Sequence, residues 1–128
     1  MTTHWTIGAD AADPQRLAAF WAAALGYVPE PGYDFEDGAS LVDPDGVLPA
    51  ISFLRVPEGK TAKNRVHLDI RVAAGRDVDP GVRGQWIRAK AAELVEAGAT
   101  TVREESYGGP DLGHIVMLDP EGNEFCVA

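Results

Sequence analysis

Three polar side chains alternate with apolar ones in the stretch RVHLDIRV, residues 65–72. His67, Asp69 and Arg71 would share one face of a β-strand, because successive residues of a strand point to opposite faces. A histidine can act as a general base or a metal ligand, and an arginine can bind a carboxylate through two parallel hydrogen bonds. The pattern indicates either the floor of a binding cup or a solvent-exposed edge strand with salt bridges.

Composition excludes several classes of partner. The chain has 128 residues and a formal net charge of −9, which opposes binding to nucleic-acid phosphates or anionic membranes. No apolar run approaches the ~20 residues that span a bilayer, and the N-terminus lacks a basic start and an apolar signal core. We expect a cytoplasmic protein with neither nucleic acid nor membrane as a partner.

Two local features leave alternatives open. The basic cluster of Lys60, Lys63 and Arg65 fits a local anion site, although a solvated linker is the simpler interpretation. Cys126 is the single cysteine, so an internal disulfide and zinc sites built on paired cysteines are excluded. Because it lies in the apolar terminal stretch EFCVA, we expect a buried structural thiol rather than a nucleophile.

The sequence contains a two-fold repeat. The turn pattern Asp-Pro-acid-Gly occurs at residues 43–46 and again at 119–122, and each copy follows an amphipathic helical stretch. Each half predicts a strand, a helix and about three strands, at residues 3–56 and 65–128, joined by a linker at 57–64. We predict one α+β domain, residues 1–128, in which two paired βαβββ modules form curved, mixed or antiparallel sheets around a cup, with the helices outside.

The sequence resembles the vicinal oxygen chelate (VOC) superfamily, the glyoxalase/bleomycin-resistance/dioxygenase group, and within it the glyoxalase-like subgroup. Three stretches carry the resemblance: DPQRLAAFWAAALGY (13–27), KNRVHLDIRV (63–72) and GHIVMLDPEGNEFCV (113–127). The resemblance implies a cup built from both modules, a homodimer, and metal ligands on the first and last strands of each module.

Carried over to this chain, the resemblance implies that His67 and Glu124 are the catalytic and metal-binding residues of the second module. The corresponding first-module positions are Thr6 and Ser52, which are not usual ligands of divalent metals. His4, Asp10 or Asp69 could complete a set. We expect a metal-free cup, and a divalent metal (Zn, Ni, Fe or Mn) is the alternative.

The function expected from these residues is the binding of a small oxygen-rich or aromatic molecule in the cup, either as resistance-type sequestration or with metal-free acid–base chemistry. The alternative is a metal-dependent lyase, isomerase or dioxygenase that uses His67 and Glu124. Beside that pair, the predicted substrate-binding residues are Asp69, Arg71, Thr6, Ser52, His114 and Tyr107.

Overall fold

The structure is a computed structural model that describes residues 1–128. The chain divides into two compact units, Met1–Gly59 and Lys60–Ala128. The division falls inside the segment that the sequence predicts as a linker. Neither helix of the protein is long and apolar enough to cross a lipid bilayer.

The first unit is a four-stranded mixed sheet with one helix. Its sheet order is β1-β4-β3-β2, with β1 parallel to β4 and the other neighbours antiparallel. The elements are β1 (Ile7–Ala11), α1 (Pro14–Leu25), β2 (Val28–Pro29), β3 (Gly38–Val42) and β4 (Ile51–Arg55).

The second unit repeats this topology. Its sheet order is β5-β8-β7-β6, again with the first and last strands parallel and the other neighbours antiparallel. The elements are β5 (Asp69–Ile70), α2 (Pro80–Glu96), β6 (Thr100–Glu105), β7 (His114–Leu118) and β8 (Glu124–Val127). The predicted α+β fold with two βαβββ modules is therefore confirmed.

Both helices begin with an aspartate cap. The carboxylate of Asp13 accepts a hydrogen bond from the backbone N–H of Arg16, and that of Asp79 accepts from the backbone N–H groups of Gly81 and Val82. A proline follows each aspartate, where its missing N–H costs no helical hydrogen bond. These caps fix where each helix starts after its first strand.

The two Asp-Pro-acid-Gly turns also form as predicted. Gly46 and Gly122 have φ of 69° and 85°, a region that favours glycine, and each donates its N–H to the carbonyl of the turn aspartate at 2.9 Å. In the second turn the carboxylate of Asp119, only 4% exposed, accepts the N–H groups of Glu121 and Asn123. These bonds hold β7 and β8 in register.

Side-chain alternation divides the second sheet into an apolar and a polar face. The apolar face lies on the side of α2 and consists of four buried residues of β7 and β8: Ile115, Met117, Phe125 and Val127. The helix α2 buries Ile87 and Leu94. The opposite face carries Glu124 and Cys126 together with the buried Val116, which lies opposite Cys126 in the β7–β8 ladder.

Two strands differ from the expectation. The stretch 65–72 was expected to form a strand, but β5 covers only two residues. Backbone hydrogen bonds on either side of β5 join Leu68 to Cys126 and Val72 to Ala128. Between α1 and β3, the strand β2 covers only Val28–Pro29, and Phe35 makes only an isolated bridge to Gly38. Pro and Gly interrupt this stretch, and they prevent a longer ladder.

Candidate functional site

The parallel pairing of β5 with β8 gathers the polar residues of the second unit. Asp69 lies opposite Cys126 in this ladder, and Cys126 donates its N–H to the carbonyl of Leu68 at 3.0 Å. Continued by two residues, the same register places His67 beside Glu124. Because neighbouring residues at the same level of a sheet point to the same side, these four side chains share the polar face.

A cavity of about 630 Å³ opens on this face. It brings together five of the predicted site residues: His67, Asp69, Arg71, Tyr107 and His114. Cys126, Arg76 and Arg83 also line it, whereas Glu124 does not. This volume suits a small molecule, since ligand pockets typically enclose about 300–1,000 Å³.

His67 and Asp69 form a hydrogen-bonded pair on the cavity wall. Nδ1 of His67 lies 2.9 Å from Oδ1 of Asp69, and both side chains are about half exposed. A carboxylate accepts but does not donate, so this contact assigns the proton of the neutral imidazole to Nδ1. Nε2 is then the nitrogen with a lone pair, available to a ligand proton or a metal.

Glu124 has a different partner. Its carboxylate forms an ion pair with the ammonium group of Lys63, and Asn64 hydrogen-bonds both the N–H and the carbonyl of Glu124 at 2.8 and 3.0 Å. The pKa of Glu124 is lowered, first by the hydrogen bond from Lys63 and least by the charge of His67. Lys63 of the basic cluster thus binds a carboxylate of its own chain.

We expected a buried structural thiol at Cys126, and the structure shows it only partly buried. Its side chain alternates with the buried Phe125 and Val127, is partly exposed and lines the cavity beside His67 and Asp69. Burial raises the pKa of the Cys126 thiol above its ordinary value of 9.0, and the carboxylates of Asp69 and Glu124 raise it further. The thiol is therefore held in its protonated form at neutral pH.

Tyr107 and His114 form a second hydrogen-bonded pair in the cavity lining. The Tyr107 hydroxyl is hydrogen-bonded to Nδ1 of His114, and the two rings lie 5.5 Å apart. Gly113 allows this contact, because a Cβ at that position would lie 2.6 Å from Cε2 of Tyr107. The loop between β6 and β7 thus places one aromatic hydroxyl at the cavity.

Thr6 and Ser52 belong to the first unit and do not line this cavity. Ser52 lies opposite Gly8 in the β1–β4 ladder, whereas Thr6 is exposed and precedes β1. If Phe53 is matched to Phe125, Ser52 corresponds to Glu124. Gly8, the ladder partner of Ser52, then corresponds to His67. Neither Gly8 nor Ser52 supplies a usual metal ligand.

Comparison with known proteins agrees with the fold. A family model described as a glyoxalase-like domain matches residues 6–128. The chain belongs to the glyoxalase-like domain family. No curated protein matches this glyoxalase-like chain.

Several solved structures share its fold at low sequence identity. A glyoxalase/bleomycin resistance protein/dioxygenase family enzyme from Burkholderia phytofirmans PsJN is 17% identical, with 95% of this chain and 94% of that chain covered and a TM-score of 0.72. A glyoxalase-related enzyme from Fulvimarina pelagi is 15% identical, with coverages of 100% and 88% and a TM-score of 0.68. At these identities, the similarity establishes the fold alone.

A fosfomycin resistance protein, FosX, from Listeria monocytogenes is 10% identical to this glyoxalase-like chain. The match covers 99% of this chain and 90% of FosX, with a TM-score of 0.69. That structure was determined in complex with Mn(II) and 1S,2S-dihydroxypropylphosphonic acid.

The ligand set implied by the family resemblance fits a metal poorly in this chain. Lys63 neutralises the carboxylate of Glu124, and Gly8 and Ser52 offer no strong donor in the first unit. A different set fits better: one donor atom each from His67, Asp69 and Cys126 lie within 4.8 Å of one another. Nitrogen, oxygen and sulfur donors in this number suit Zn²⁺ with one open position.

Three residues that line the cavity were not among the site residues predicted from the sequence. Arg76 and Arg83 lie in and after the long connection between β5 and α2, where no periodic pattern marks a face. Cys126 was detectable, because it is two residues from Glu124 in a strand and must share its face. Its apolar neighbours suggested burial instead.

Proposed function

We propose that this glyoxalase-like domain binds a small oxygen-rich molecule in the cavity of its second unit and carries out metal-free acid–base chemistry on it. The observation that carries the proposal is the His67–Asp69 pair, with Nδ1 and Oδ1 2.9 Å apart on the cavity wall. An oxygen-rich ligand is favoured over an apolar aromatic one, because charged and polar side chains dominate the lining.

In this proposal His67 is the residue that moves a proton. Asp69 fixes the tautomer and the ring orientation, so that Nε2 accepts a proton from a ligand hydroxyl or from a carbon next to a carbonyl. The same nitrogen returns that proton to another atom of the ligand, and no redox partner is needed. The Tyr107–His114 pair, which also lines the cavity, supplies hydrogen bonds to ligand oxygens.

Resistance-type sequestration and acid–base chemistry share the binding step and differ in the fate of the bound molecule. A ligand recovered unchanged indicates sequestration, whereas exchange of a carbon-bound hydrogen for deuterium indicates proton transfer. The homodimer implied by the family resemblance also remains a proposal, and sedimentation velocity tests it.

The proposal is tested by ligand-observed NMR with a panel of hydroxy acids, diols and hydroxyketones in D₂O. We expect saturable binding that His67→Ala abolishes and deuterium incorporation that Asp69→Asn reduces about tenfold or more, the usual scale for general acid–base catalysis being about 10²–10⁴. His4→Ala is the control, since His4 lies in the first unit and outside the cavity. Binding that His67→Ala leaves unchanged would refute the proposal.

A divalent-metal enzyme is the second candidate, and the cluster of His67, Asp69 and Cys126 favours it. These residues would hold the metal, which supplies Lewis-acid polarisation of a ligand oxygen when bound. Titration with Co²⁺ tests the candidate, because a cobalt–thiolate bond gives an intense near-ultraviolet charge-transfer band.

For this candidate we expect the Co²⁺ band to saturate near one equivalent, and Cys126→Ser to abolish it. Lys63→Gln serves as the comparison variant, since it releases Glu124 from its ion pair without removing a donor of the cluster. If the band is absent and the purified protein contains no transition metal by elemental analysis, the metal candidate fails.

A further inference from the structure

We propose that Arg71, Arg76 and Arg83 form an anion subsite in the cavity of the second unit, and that the ligand therefore carries a carboxylate, phosphonate or phosphate group. All three arginines line the cavity that also contains His67. The inference rests on the proposed function, because it names the substrate class for the same cavity.

Some arginines of the second unit are ion-paired and others are not. Arg88 and Arg103, which do not line the cavity, are paired with Glu104 and Glu105 at 3.0 and 2.6 Å, whereas Arg65, also off the cavity, has no ion pair. Arg71, Arg76 and Arg83 have no carboxylate partner, although the chain carries 20 acidic residues against 11 basic ones. Three unpaired guanidinium groups in so acidic a chain leave a local positive charge that an anionic ligand would neutralise.

Arg76 is held in place without the use of its terminal nitrogens. Its Nε donates to the carbonyl of Ala73 at 3.0 Å, and its Cζ lies 4.9 Å from the centre of the Trp86 ring. Stacking on an aromatic ring orients the guanidinium plane and leaves its outer edge available for two parallel hydrogen bonds to an oxyanion. This arrangement lowers the ordering cost of binding, since the side chain is already fixed.

Arg83 provides a second donor in the first turns of α2. Its Nε is buried and has no hydrogen-bond partner within the protein. A buried donor without a partner is destabilising, so a ligand oxygen that satisfies this group, after a small side-chain rotation, gains binding free energy.

A tight backbone turn brings Arg71 and Arg76 to the same cavity. Ala74 and Gly75 both have positive φ, 51° and 80°, and the N–H of Ala74 and of Arg76 donate to the carbonyls of Arg71 and Ala73. Positive φ is unfavourable for alanine, so the turn stores strain at a place that lines the cavity.

The carboxylates of Asp69 and Asp77 also line the cavity and reduce its positive charge. Asp69 is engaged by His67 at 2.9 Å, so it is not a partner of the arginines. Asp77 makes no ion pair with them. An anion would therefore bind the guanidinium groups of residues 71, 76 and 83, which no carboxylate of the chain occupies.

The test uses the full chain, with methylphosphonate and acetate as probes and glycerol as the neutral comparison. In ¹H–¹⁵N spectra we expect saturable shifts of the Nε–H signals of Arg76 and Arg83 with either anion and none with glycerol. Arg83→Gln and Arg71→Gln should each weaken methylphosphonate binding about tenfold, as loss of one charge-assisted hydrogen bond of about 1.4 kcal/mol predicts. Arg88→Gln, on the same helix but outside the cavity, should change the affinity less than about twofold.

The experiment separates this inference from the proposed function. If methylphosphonate binds with unchanged affinity in both arginine variants, or not at all, the anion subsite is refuted even where His67→Ala abolishes binding of hydroxy compounds. If the arginine variants lose anion binding while His67→Ala changes no ligand response, the subsite stands and the proposed acid–base function fails. Arg71 is exposed, so its variant tests the subsite even if Arg83→Gln unfolds the helix end.

Discussion

Lys63 and Glu124 form an ion pair although 61 residues separate them in the chain. The contact joins the segment before β5 to the first residue of β8, and Asn64 reinforces it by hydrogen bonds to the backbone of Glu124. The ion pair engages the carboxylate of Glu124, to which the family resemblance assigns metal binding. The polar face of this sheet is consequently divided between an ion pair at Glu124 and the cavity at His67.

Replacing Lys63 by glutamine should raise the pKa of Glu124 toward its ordinary value of 4.5. A carboxylate whose folded pKa is depressed stabilises the protein above its unfolded pKa, and this stabilisation is lost as the pH falls through the folded value. The variant should thus be less stable than the parent above about pH 4.5, with the difference shrinking at lower pH. Carboxyl ¹³C NMR and urea unfolding at several pH values measure both effects.

Lys90→Gln provides the control for that experiment, because Lys90 pairs with Glu93 on the surface of α2. Its effect on stability should be small at every pH, as is usual for exposed pairs. An unchanged pKa of Glu124 in Lys63→Gln would contradict the ion pair.

The Cys126 thiol should react slowly with iodoacetamide at neutral pH. Its pKa is raised by burial and by the charges of Asp69 and Glu124, so the thiolate that attacks the reagent is scarce. The rate, followed by mass spectrometry between about pH 7 and pH 10, should still be rising above the ordinary thiol pKa. Asp69→Asn should accelerate the reaction at a given pH, whereas Asp77→Asn should not; equal rates in the two variants would contradict this assignment.

Gly113→Ala should separate Tyr107 from His114. The added methyl group would lie 2.6 Å from the Tyr107 ring, and because that residue is 77% exposed, its ring can move into solvent. We expect a stability loss of about 1 kcal/mol or less, but a clear change in the His114 imidazole signals by NMR. Gly109→Ala is matched to it, as nothing lies within 4 Å of a Cβ there. Identical His114 signals in both variants would argue against the contact.

Asp119→Ala should destabilise the second unit by about 2 kcal/mol, because it leaves two part-buried backbone donors without their acceptor. The carboxylate accepts hydrogen bonds from Glu121 and Asn123 at 2.9–3.1 Å and is 4% exposed. Urea unfolding measures the loss. Asp111→Ala, at an exposed loop position, should stay within about 0.5 kcal/mol of the parent; a similar value for Asp119→Ala would show that the turn does not depend on this carboxylate.

The elements of the fold were largely predictable, because their signals are local. The prolines after Asp13 and Asp79 predict where the helices begin, and the two Asp-Pro-acid-Gly turns predict the hairpins. The stretch around Tyr33 and Phe35 was less predictable, since its glycines and prolines are compatible with several loop conformations.

Pattern and turn chemistry in the sequence alone determined the repeated βαβββ topology and the shared face of His67, Asp69 and Arg71, because strand alternation is a property of the chain itself. Only the tertiary structure decided which of the polar residues meet. Strand register puts Cys126 opposite Asp69, the long connection before α2 brings Arg76 and Arg83 to the cavity, and the segment before β5 delivers Lys63 to Glu124. These contacts depend on residues far apart in the chain, and no local pattern specifies such distances.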